Sequence, residues 1–133
     1  MITTITILAS LAAQTAEAPT AHEPAEQPVL TVELIPLPLE QQTALRCSVA
    51  IAIATERQRS GGDVPADWPD LLENNRGQEF FVRSLAKLMD DTGLPRDGLA
   101  AYGRKEAEAF KAEPEALEAI MPACLALLEA SGL

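Results

Sequence analysis

Prolines and glycines decide what this chain can fold into, because beyond residue 38 they cut it into four lengths that each suit one helix. Proline fits the first turn of a helix, where its missing N–H is no loss, and glycine suits the left-handed residue that ends one. Pro38, Gly61-Gly62, Pro69, Gly93, Pro95, Pro114 and Gly132 are such starts and stops. They predict an all-α domain over 39–133, a small bundle of about four helices. The first would run from Leu39 to Ser60 and the third from Pro95 to Ala112. The second would begin near Pro69 or, after a break at Asn74-Asn75, near Arg76, and end before Gly93. The fourth would begin at Pro114 and close at Gly132.

Apolar side chains recur at helical spacing within those lengths. Phe81, Leu85, Leu88 and Thr92, with Val82 and Met89 alongside, form a stripe on the second helix. Leu99, Gly103, Ala107 and Phe110 share a face of the third, and Leu117, Ile120, Met121, Cys124, Leu127 and Leu128 recur on the fourth. Glycine inside a helix costs about 1 kcal/mol relative to alanine. A tight helix contact at Gly103 is the expected compensation. Pro122 is expected to kink or split the fourth helix, since it removes one hydrogen bond and crowds the preceding turn. Such a kink would aim Cys124. Trp68, just before Pro69, reads as a hydrophobic staple for the second helix or as a binding anchor.

The stretch TALRCSVAIAIATERQ, residues 43–58, can be read with two periods. Cys47, Val49, Ile51 and Ile53 alternate with small residues as in a strand, but those small residues are mostly Ala, the best helix former, and no later segment offers a strand to pair with. As a helix it places Ala44, Cys47, Ile51 and Ala54 on one face and is buried at its centre on most sides. Both cysteines of the chain then lie on core-facing stripes, which predicts a Cys47–Cys124 disulfide between the first and last helices. Closing so long a loop is worth ~4.5 kcal/mol in loop-closure entropy. In a cytosolic chain the same two residues would instead be buried free thiols.

The compartment therefore matters, and the N-terminus bears on it. Ile5 to Ala13 is an apolar run of signal-peptide length, and Ala16-Glu17-Ala18 has the small-x-small form of a cleavage site. Residues 1–18 are read as a signal peptide, although no Lys or Arg precedes the run and Ser10-x-Ala12 offers a second cut. The expectation is a periplasmic or secreted protein, the alternative a cytoplasmic one that keeps its N-terminus. The run falls short of the ~20 residues that span a bilayer, so no transmembrane segment is expected in the mature chain.

Residues 19–38 are a Pro-rich linker and an apolar extended arm. Five prolines between Pro19 and Leu39 bar a helix or a central strand there. Val32, Leu34, Ile35 and Leu37 are too apolar to stay fully exposed. They either pack back on the domain or, with Trp68, dock on a partner, which would be another exported protein.

Composition and placement weigh against several kinds of chemistry. A net charge of −10, with no basic stripe, gives no electrostatic footprint for nucleic acid. The one histidine, His22, sits in the linker, so no Ser-His-Asp or Cys-His arrangement can be built on a rigid frame. With both cysteines in a disulfide, zinc and iron lack their usual ligands. Asp90-Asp91, Glu106, Glu108, Asp63, Asp67 and Asp70 match no EF-hand spacing and read as solvated helix ends and loops. No metal, cofactor or catalytic residue is expected.

In size, helix content and cysteine number the helical domain resembles the periplasmic acid-stress chaperones; no motif is shared, and no residue role is carried across. Three functions are compatible with the sequence. The first is a non-catalytic exported interaction or protective protein. The second is a carrier of a small apolar ligand held between Ala-rich helices, and the third an enzyme working through carboxylates of displaced pKa.

Overall fold

Helices account for most of the described residues. The computed structural model describes residues 34–133, so the expected signal peptide, most of the expected linker and Val32 lie outside the described residues. The helices are α1 (Leu39–Arg59), α2 (Arg76–Thr92), α3 (Arg96–Ala112) and α4 (Pro114–Ala130), with a single 3-10 turn at Glu73–Asn75. There is no strand among the described residues, and the stretch at 43–58 is helical throughout.

α1 is the central element. Five successive residues, Cys47 to Ile51, are all buried, which a helix achieves only by packing on several neighbours at once. It packs most closely on α2, then on α4 and α3. Two buried hydroxyls are satisfied inside the helix: Ser48 Oγ donates to the Ala44 carbonyl and Thr55 Oγ1 to the Ile51 carbonyl, each at 2.7 Å. Gly61, at φ 70°, ends the helix, and the Gly62 amide donates back to the Arg57 carbonyl at 2.8 Å. No other residue takes that left-handed position as readily.

The loop to α2 is held by one side chain. Gln58 Nε2 donates to the Pro69 carbonyl at 2.9 Å while its Oε1 accepts from the Leu71 amide at 2.8 Å, and Leu71 is driven fully into the core. Asp70 Oδ1 then accepts from the amides of Leu72 (2.9 Å) and Glu73 (3.2 Å), closing an Asx turn. Asn74 and Asn75 both have positive φ, 51° and 55°, which is the break the sequence suggests; α2 starts only after it, at Arg76. Trp68 is therefore too far from the start of α2 to staple it. It packs against the core from the loop instead.

The disulfide forms as expected. Cys47 and Cys124 are bonded with their Cα atoms 5.0 Å apart, and both are buried. Around them Leu45, Ile51, Leu117, Met121 and Leu128 complete the α1–α4 side of the core.

Three details of the sequence reading are corrected. Gly103 is not the tight contact: a Cβ there would meet only Val49 Cγ2, at 4.0 Å. Gly77 is, since a Cβ there would overlap the Thr55 hydroxyl and press on Leu71. Pro122 does not split α4, which runs unbroken through it; the ring is exposed, so the turn loses a hydrogen bond where water can reach the freed carbonyl. The stripe of α2 is also rotated from the one expected, whereas those of α3 and α4 are buried largely where expected. Phe80, not Val82, is buried against the core, because Gly77, Phe80 and Leu88 form the face of α2 turned inward, while Val82 and Leu127 are exposed.

Candidate functional site

α2 and α3 are joined by the short link Gly93-Leu94-Pro95, yet they touch each other only lightly, each leaning instead on α1. Helices packed at ordinary separation leave no channel, but small residues along one seam do. Here α1 contributes Ala52 and α3 contributes Ala100, Gly103 and Ala107, and a groove opens along the seam.

The groove has two lobes. The larger, about 430 Å³, is walled by Val49, Ala52 and Ile53 of α1, by Phe81 and Leu85 of α2, and by Leu99 and the small residues of α3. Among the described residues, Glu56 and Arg104 are its charged lining residues. The smaller, about 310 Å³, shares Leu85, Leu99 and Ala100 with the first and adds Val82, Ala86, Met89 and Arg96. Leu99 is buried and forms the floor common to both; Ala100 is exposed above it.

The charges around the lobes differ in what already binds them. Glu56 carries an ion pair with Arg59 at 2.7 Å. Arg96 and Arg104 have neither an ion pair nor a side-chain hydrogen bond among the described residues, and both are exposed. By contrast the hollow beside Glu73, Asn74 and Gly132 is already neutralised. Arg76 there donates to the Glu129 carboxylate at 2.9 Å and to the Leu133 carbonyl at 2.8 Å.

The residues singled out by sequence are placed elsewhere. Leu34 is half-buried and Leu37 packs against the core, while Ile35 is 79 % exposed. The Tyr102 hydroxyl donates to the Ile35 carbonyl at 2.6 Å, fastening the arm to α3. None of Leu34, Ile35, Leu37 and Trp68 lines either lobe of the groove.

The acids are used at the surface. Asp91 pairs with Lys87 at 2.6 Å and Glu79 with Arg83 at 3.1 Å, both one helical turn apart. The hydrogen bond from Lys87 to Asp91, reinforced by the charge of that carboxylate, holds the Lys87 ammonium protonated above its ordinary range. Among the described residues no three His, Cys, Asp or Glu side chains gather as a metal site would require, and no helix is long and apolar enough to cross a membrane.

Sequence reasoning found most of the groove's walls but read them as core. Phe81, Leu85, Leu99 and Ala107 were placed on apolar stripes, and half-burial distinguishes several of them from true core residues. Val49, Ala52 and Ile53 were hidden by the same alternation that made α1 ambiguous. The fold and site define a disulfide-stapled helical protein with an open apolar groove. No protein-family model, curated protein or solved structure matches the chain.

Proposed function

We propose that the chain is a non-catalytic binding protein of an oxidising compartment, periplasmic or extracellular, which carries an apolar molecule in the groove between α1, α2 and α3. The groove carries this reading. Its lobes fall within the roughly 300–1,000 Å³ typical of small-molecule sites, and its walls are almost wholly aliphatic and aromatic. The buried disulfide and the apolar run at 5–13 followed by Ala16-Glu17-Ala18 support export. A second reading, docking of another exported protein on the apolar arm, is supported by Ile35 and Leu39, each 79 % exposed.

The test is a titration of the oxidised full-length protein with a neutral, environment-sensitive naphthylamine dye. Saturable enhancement of its emission is expected, and Ala100→Trp, which fills the seam from an exposed position, should abolish it without lowering the thermal midpoint. Absence of saturable binding to the unmodified chain, or full binding by Ala100→Trp, would overturn the proposal. Cross-linking that captures a protein on residues 34–39 while the dye fails to bind would favour the second reading.

A further inference from the structure

We infer that the groove takes a long-chain carboxylic acid, with its head group held at Arg96 and its tail lying across Leu85, Leu99 and Ala100 into the larger lobe. This deepens the carrier reading and rests on it. The two lobes share those three residues, so they adjoin, and a chain crossing from one to the other would run over apolar side chains. A single unbranched chain is the ligand shape that spans both.

Charge picks the head group and its end. In a chain of net charge −10, the smaller lobe is lined, among the described residues, by one cation, Arg96, and by no carboxylate. Asp97, though next in sequence, is not part of the lining. Arg96 opens α3, where a positive side chain opposes the helix dipole, so its charge does not serve the helix. It has no anionic partner among the described residues. The larger lobe has an arginine too, Arg104, but its lining also includes a carboxylate, Glu56, so the head group is assigned to Arg96 and the tail to that end. A guanidinium matches a carboxylate through two parallel N–H donors and neutralises its single charge. A phosphate monoester, with up to two charges, would be left only partly compensated by one arginine in so acidic a protein.

Competition against the neutral dye by dodecanoic acid, dodecanol and dodecylamine, at low salt and below their aggregation limits, tests this. The oxidised full chain should bind the acid about tenfold more tightly than the alcohol, the scale of one charge-assisted contact at an exposed rim. The amine should bind most weakly. Arg96→Gln, an exposed change that leaves the core untouched, should remove the preference, bringing the acid and alcohol to about equal affinity. Arg104→Gln should keep most of the preference. Equal affinities for acid and alcohol, or a preference that survives Arg96→Gln, would overturn the assignment of the head group even with dye binding intact. Loss of dye binding in the unmodified protein would instead remove the groove reading itself, and this inference with it.

Discussion

Reducing the Cys47–Cys124 bond should remove a large part of the stability of this protein, and the amount can be worked from the loop it closes. The bonded residues are 77 positions apart. Loop-closure entropy for that length is ~15 cal/mol/K, or ~4.5 kcal/mol at 25 °C. Single domains are stable by only about 5–15 kcal/mol in total, so the reduced form should be marginal. Urea unfolding followed by circular dichroism measures the difference directly. With a slope of about 2 kcal/mol/M for a domain of this size, the midpoint should fall by about 2 M on reduction. The slope itself should rise, because the reduced unfolded chain is freer to expand and exposes more surface. Cys47→Ala with Cys124→Ala should be at least as unstable, since both sulfurs are buried and their removal leaves a void as well as a longer free chain. A midpoint shift under ~0.5 M, at this expected slope, would refute the reasoning, because the cross-link would then not be restricting the unfolded chain.

Two glycines should respond in opposite directions to the same change: Gly77→Ala should destabilise by about 1–3 kcal/mol through overpacking against Thr55, whereas Gly103→Ala should stabilise by about 0.5–1 kcal/mol, with thermal melts reading both. Pro122→Ala should stabilise by about 1–3 kcal/mol, since the position is exposed within a continuous helix and regains a backbone donor; an unchanged urea midpoint would show that α4 has already absorbed the proline without cost. Tyr102→Phe should cost about 1 kcal/mol and make the chain near Ile35 more sensitive to limited proteolysis, because it removes the hydrogen bond that fastens the arm to α3. Unchanged cleavage there would show that Leu37 alone holds the arm.

The fold was largely legible because helix punctuation is local chemistry. Gly61, Gly93 and Gly132 take the left-handed conformations that end their helices, and Pro114 stands at the start of its own. The disulfide was legible for a related reason: each cysteine falls on the buried stripe of its helix, and burial on both stripes brings them together. What escaped depends on which neighbour each face meets. Gln58 looked like one more polar residue near a helix end, yet it clamps the loop that buries Leu71. Gly77 and Gly103 both sit inside helices, and the positions of Thr55 and Leu71 separate a forced glycine from a free one. The groove escaped for the same reason. Apolar periodicity marks faces removed from water but does not say whether the partner face fills the space between them.

The geometry of α1 explains how a buried helix can carry a binding surface without losing its anchorage. At 3.6 residues per turn, Cys47, Ile51 and Ala54 fall on one face, and Val49, Ala52, Ile53 and Glu56 fall on about the opposite one. The first face meets α4 and carries the covalent link; the second forms the wall of the groove. The alternation of Val and Ile with Ala in residues 49–54 is therefore neither a strand pattern nor a simple core pattern. It supplies bulky residues to both faces of a helix packed on both, with Ala52 small where the seam must stay open. α3 packs mainly on α1 and only lightly on α4 and α2, while the disulfide and most of the buried Leu, Met and Cys side chains hold α1 to α4. Substitutions at exposed seam positions such as Ala100 and Val82 can change what the groove holds with little effect on stability, whereas Val49 and Leu99 line the groove and are also buried in the core, so changes there should alter both.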